Sequence, residues 1–159
     1  FFSRYLPTIG VDYGIKSVHI ERRKNIIKHN NNEPFGNNSV EVKVNFFDLS
    51  GKSEFLEIRK EFYADVSGMF LVYDISDRSS FQSLQEWLLE TNSCKGFSID
   101  IPIILCANKI DKVRVISEKE GLEFAASNGL VYFETSCRSG ENIEDMFEFV
   151  FKSIVEQIL

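Results

Sequence analysis

No stretch of this chain approaches the about 18 to 20 consecutive apolar residues that a membrane-spanning helix needs. No secretory leader is visible either, and the chain begins at Phe1 rather than at methionine, so the residues read as a piece of a longer protein. Cysteine is scarce. Cys94, Cys106 and Cys137 are odd in number and far apart, which argues against both a disulfide framework and a zinc site and fits a reducing, cytoplasmic compartment. Positive charge is also short: the net charge is −6, and the basic run "ERRK" at 21–24 is too brief to make a face. A general nucleic-acid binder, which depends on neutralising phosphates, is excluded on that ground.

What remains is an ordinary globular balance of 43% hydrophobic and 26% charged residues over 159 positions, enough for one domain with a core of its own. "IGVDYGIKSVHIERR" (9–23) alternates roughly and predicts a strand. "SVEVKVNFFDL" (39–49) sets Val40, Val42, Val44 and Phe46 on one face and predicts its hairpin partner. The Asn-rich segment between them, about 24–38, is too long for a hairpin turn and too polar to bury, so it predicts an inserted, solvated and mobile loop.

Three continuous apolar runs follow, "MFLVYDIS" (69–76), "IPIILCANKID" (101–111) and "LVYFETS" (130–136). Runs of this kind suit strands buried on both faces. Helical patterns separate them. "SSFQSLQEWLLETN" opens with Ser79 or Ser80 as a cap, and "SEKEGLEFAASNG" has the spacing of a capping box and ends in Gly129. The last helix places Ile143, Met146, Phe147, Val150, Ile154, Val155 and Ile158 on one stripe. Strand and helix in alternation predict an α/β fold, a parallel sheet with helices on both faces. Ligands of such sheets bind at the carboxyl ends of the strands, where Asp48, "NKID" and "ETSCR" fall.

The chemistry at those ends is specific. In "FFDLSGK" (46–52), Asp48 can serve a metal and Gly51 can offer its amide to a phosphate, although an ordinary strand-ending turn uses the same residues. In "NKID", Asn108 can tie neighbouring loops together and Lys109 can lay its stem over a planar base. Asp111 presents two acceptor oxygens to paired N–H donors, the edge that guanine has and adenine lacks. The backbone amides of "TSCRSG" (135–140) could approach a carbonyl oxygen on the same base.

With these motifs in this order, the chain resembles the Ras superfamily of small GTPases, and within it the Rab branch. "YLPTIGVDYG" resembles the first switch and the Rab-type "IGVDF" signature, with Tyr13 in place of Phe; "DLSGK" resembles Asp-x-x-Gly-Gln; "NKID" and "TSCR" are similar to the guanine-reading motifs. "EIRKEFYADVSGMFLVYDIS" is similar to the Rab stretch after the second switch, and finer likeness is to Rab-like GTPases associated with a J domain. The resemblance implies a P-loop GTPase-like sheet, mostly parallel with one antiparallel edge hairpin, in one domain over 1–159. It also implies roles. Thr8 would ligate Mg²⁺ and meet the γ-phosphate, Asp48 would hold the same Mg²⁺ through water, and Gly51 would donate its amide to the γ-phosphate. Phe1 falls where the family packs an aromatic beside guanine, and Tyr5 where one can close over the phosphates. Asn108, Lys109 and Asp111 would read guanine in GDP or GTP, supported by Ser136, Cys137 and Arg138.

Two departures matter. Lys52 stands where the family has the glutamine that orients the attacking water, and an ammonium has no acceptor for that task. The phosphate-binding loop Gly-x-x-x-x-Gly-Lys-Ser/Thr matches nowhere in these residues. The family carries it on the first strand and helix, so those elements are expected to be missing from this sequence and the domain to be N-terminally incomplete. The resemblance therefore implies a switch with slow GTP hydrolysis in trafficking or signalling, meeting effectors and exchange factors through residues about 5–13 and 52–65. The alternative is a pseudo-GTPase scaffold that does not bind nucleotide tightly. Peripheral membrane association would require a lipidated tail outside these residues.

Overall fold

A computed structural model describes residues 6–21, 39–98 and 100–158. In chain order the elements are β1 (Val11–Glu21), β2 (Ser39–Leu49), a 3₁₀ turn (Ser53–Phe55), α1 (Leu56–Lys60), β3 (Met69–Asp74), α2 (Arg78–Gln82), α3 (Leu84–Asn92), β4 (Ile103–Asn108), α4 (Glu118–Asn128), β5 (Val131–Thr135) and α5 (Ile143–Ile158). The expected α/β order is present. The Asn-rich insertion at about 24–38 lies outside the described residues.

β3, β4 and β5 form a parallel sheet in that order, with Asp74 opposite Asn108 and Asn108 opposite Thr135. Alternation along the central strand divides the core in two. Leu105 and Ala107 join β3 residues Leu71 and Tyr73, α3 residues Leu84 and Leu88, and Ala125 of α4. Ile104 and Cys106 face the other way, onto Met146, Val150, Phe151 and Val155 of α5 and Ile20 of β1. Four successive buried residues in β4 explain why its sequence is a continuous apolar run. Burial also pushes the Cys106 thiol up to about 11, so it behaves as a small apolar side chain.

β1 and β2 pair antiparallel from Val11 opposite Leu49 to Glu21 opposite Ser39. They make a two-stranded sheet of their own, and among the described residues no ladder joins it to β3–β5. The resemblance runs a further strand through the middle of the sheet, and none of the described residues supplies it. Side chains bridge the two sheets instead. Val18, Val42, Val44 and Phe46 pack on the α5 cluster, with the Phe46 ring centre 5.8 Å from Phe147 and 6.1 Å from Phe151, both edge-on.

The capping box of α4 forms as expected: Ser117 Oγ accepts from the Glu120 amide, Glu120 accepts from the Ser117 amide, and Gly129 closes the helix at φ 69°. The expected serine cap of the preceding helix does not form. Asp77 is the cap, accepting from the Ser79 amide, because its carboxylate reaches two residues forward into the first turn. Ser80 is used otherwise, accepting from the Asp74 amide and donating to the Asp77 carbonyl. The single helix expected here is also two, α2 and α3, divided at Ser83.

Gly121 of α4 packs against a pair of rings. A Cβ there would lie 2.6 Å from Tyr132 Cε2 and 2.6 Å from the Tyr73 hydroxyl, atoms of half-buried and buried tyrosines. Helix propensity favours Ala over Gly by about 1 kcal/mol, whereas overpacking costs about 1–3 kcal/mol. Gly121→Ala is therefore expected to destabilise the protein in urea unfolding; a stabilised variant would contradict the close approach.

Candidate functional site

The carboxyl end of the hairpin is extended by one more bond, in which the Ser50 amide donates to the Gly10 carbonyl at 2.9 Å. Gly10 has φ 69°, a left-handed turn that swings the lead-in segment back past β2. The result brings together two residues 40 positions apart: Thr8 Oγ1 donates to Asp48 Oδ2 at 2.8 Å. A hydroxyl and a carboxylate side by side are hard oxygen donors, the set that Mg²⁺ takes when phosphates and waters complete its shell. The donor chemistry fits the ion.

Gly51 follows at the rim of the turn. Its backbone has no positive φ, and a Cβ would meet only Trp87 Cζ2, at an ordinary 3.7 Å. Neither sterics nor conformation within the protein demands glycine there. A ligand approaching the backbone would. Lys52 is exposed, with its ammonium 3.7 Å from Glu54.

The second half of the site sits on the ends of β4 and β5. Asn108 Oδ1 accepts from the Lys109 amide at 2.7 Å, and from the Cys137 amide and Thr135 hydroxyl at 3.4 Å each. One side-chain amide thus ties the two loops together. Lys109 is held at φ 67°, an uncommon conformation for a residue with a Cβ. Asp111 Oδ1 accepts from the Ser136 hydroxyl at 2.6 Å, and that bond holds its carboxyl below the usual carboxylate range. Ser136 is fully buried and also accepts from the Arg138 and Ser139 amides. Arg138 reaches to 3.7 Å from Asp111, and Cys137 is exposed at the loop tip. Thr8, Asp48 and Gly51 therefore gather at one strand end, and Asn108, Lys109, Asp111, Ser136, Cys137 and Arg138 at another pair. Phe1 and Tyr5 lie outside the described residues.

Sequence reasoning missed Asp74. Its carboxylate, 14% exposed, receives Lys109 Nζ at 2.7 Å and Lys112 Nζ at 3.2 Å, as well as the Ser76 amide and hydroxyl. The signal was present, since Asp74 ends an apolar strand as Asp48 does, but only the parallel register shows that it stands beside Asn108. Burial disfavours the Asp74 charge; the Lys109, Ser76 and Lys112 contacts outweigh it and hold the carboxyl well below its ordinary value. Arg59, Trp87 and Glu90, which back the Ser50–Lys52 turn, were also missed because nothing in a short helix marks an arginine as buried.

A model of the Ras family matches residues 1–156. DnaJ homolog subfamily C member 27 of Homo sapiens is 42% identical over 161 residues, covering 98% of this chain and 53% of the relative. The same figures hold for the Danio rerio protein of that name, and member 27-B of Xenopus laevis is 41% identical over 164 residues with the same coverage. The chain spans about half the length of these relatives. The J-domain association expected from the motifs matches the DnaJ name they carry.

The Asp74 cluster carries a pH signature. A carboxyl whose pKa is lowered by folding stabilises the protein above its unfolded value of about 3.9, and that stability is lost as the pH falls through the folded value. Asp74→Asn is expected to cost about 2 kcal/mol at pH 7, with the deficit narrowing below about pH 4. Urea unfolding across pH measures it; a deficit that is constant with pH would contradict the pairing.

Proposed function

This chain belongs to the Ras family, and we propose that the protein is a Rab-like switch driven by guanine nucleotide, with slow hydrolysis of GTP. The observation that carries the reading is the meeting of Thr8 with Asp48 at 2.8 Å across 40 residues of sequence, beside a glycine that the fold itself does not require. Thr8 and Asp48 would hold Mg²⁺, which supplies charge neutralisation for the β- and γ-phosphates when bound. Gly51 offers its amide to the γ-phosphate. Asp111, fixed by Ser136, accepts from the paired donors of guanine, and Asn108 keeps the two base loops in register. Asp74 holds the Lys109 ammonium at 2.7 Å, and the aliphatic stem would lie over the base.

Lys52 gives the switch its slow decay. Its ammonium can pair with a γ-phosphate but cannot accept a proton from an attacking water. Effectors would read the segments that the γ-phosphate orders. Tyr13, Phe47 and Phe62 support this, forming a continuous aromatic row across both segments with ring centres 5.3 Å and 5.1 Å apart. Tyr13 and Phe47 are exposed at 58% and 43%, unusual for adjacent rings without a partner. Trafficking or signalling, effectors and exchange factors belong to the same proposal. No helix among the described residues is long and apolar enough to cross a membrane, so membrane attachment would rest on a lipidated tail.

A second reading, a nucleotide-free scaffold on the same fold, is favoured by Lys52 and by the unmatched phosphate-binding loop. Titration of fluorescent GDP and GTP with Mg²⁺ onto this chain, and onto the full-length protein, separates the two. Tight binding by the longer form supports the switch; no binding by either form sinks it and leaves the scaffold. In the longer form Lys52→Gln is expected to raise single-turnover GTP hydrolysis by about tenfold or more. A wild-type rate already equal to that of the glutamine variant would contradict the role given to Lys52.

A further inference from the structure

Behind the Gly51 turn, Arg59 of α1 is buried to 5% exposure and uses its whole fork. Nε and Nη2 donate to the two carboxylate oxygens of Glu90 on α3, at 2.6 Å and 2.8 Å. Nη1 donates to the Ser50 carbonyl at 3.2 Å and the Lys52 carbonyl at 2.6 Å. The guanidinium carbon lies 4.8 Å from the Trp87 ring, and the Tyr63 hydroxyl donates to Glu90 at 2.6 Å. Each partner favours the charge of the other: the Glu90 bond raises the arginine pKa, and although burial works against the Glu90 charge, the Arg59 and Tyr63 bonds hold that carboxyl below its ordinary value.

We propose that the Arg59–Glu90 pair is a clamp that positions the Gly51 amide, so that α3 sets the geometry offered to a γ-phosphate. The inference rests on the switch reading above. The argument follows from peptide planarity. Ser50 C=O and Gly51 N–H share one trans peptide, so they point in opposite directions. Arg59 binds the Ser50 carbonyl, and the Gly51 N–H is thereby turned away from the guanidinium. Binding the Lys52 carbonyl as well fixes the turn on both sides of the glycine. Arg59 is a positioning residue in this account, and lysine cannot substitute, because one ammonium cannot span two carbonyls and both carboxylate oxygens in a plane.

The test uses the full-length protein with Arg59→Lys and Glu90→Gln, the second variant carrying the test if the first fails to fold. Two readouts are taken: hydrogen exchange of the amides at 51–55, and the ratio of affinities for a non-hydrolysable GTP analogue and GDP. Exchange at 51–55 is expected to rise about tenfold while β4 amides stay protected, and the preference for the GTP analogue to fall about tenfold with GDP affinity little changed. Unchanged exchange at 51–55 overturns the clamp. Faster exchange with an unchanged GTP-to-GDP ratio overturns the positioning of Gly51. Failure of the unmodified protein to bind either nucleotide overturns the switch reading and the positioning role together, while exchange still decides whether the clamp holds the turn.

Discussion

Parallel pairing between β3, β4 and β5 carries their carboxyl ends to one edge of the sheet, and the register there places Asp74, Asn108 and Thr135 in a row. Because consecutive parallel strands run the same way, every crossover helix returns the chain to the far edge and each strand delivers its last residues to the same side. Asp74 can then reach Lys109, Asn108 can reach the Cys137 amide, and Ser136 can reach Asp111. None of these contacts is local in sequence, and a shift of one residue in the register would undo all of them.

The hairpin meets that edge by a different route. It has no backbone ladder to the parallel sheet among the described residues, so the position of Asp48 depends on packing: Phe46 against Phe147 and Phe151 on one side, and Phe47 against Phe62 on the other. Adjacent residues of one strand point to opposite faces. Phe46 therefore anchors the strand in the core, while Phe47 ties it to the α1 region. The carboxylate that follows them is steered by both. Behind it, Arg59 fastens the next turn to α3. The Thr8–Asp48 end is thus built from side chains, and the Asn108–Asp111 end from strand register and loop hydrogen bonds.

Much of this was legible in the sequence. The range of β2 was readable to the residue from its alternation, and the three buried strands from their unbroken apolar runs. Asp48, Asn108, Asp111 and Ser136 stood at strand ends, where position alone suggests a ligand. The cap at Asp77 and the break at Ser83 were not legible, because a serine pair and an aspartate two residues earlier compete for the same turn and only the fold decides between them. Asp74 and Arg59 were missed for a common reason. Their significance comes from partners 31 to 38 residues away, a distance over which sequence pattern carries no information about contact.

The central claim is that this edge reads guanine through the paired acceptors of Asp111. The most direct measurement is competition of GDP, inosine diphosphate and ADP for fluorescent GDP bound to the full-length protein. Inosine lacks the exocyclic amine, so Asp111 would lose one of its two donors, and adenine offers neither. The account predicts that inosine diphosphate competes about 10- to 100-fold less well than GDP, and that ADP competes about 10⁴-fold less well or worse. Competition by ADP or inosine diphosphate on equal terms with GDP would contradict it.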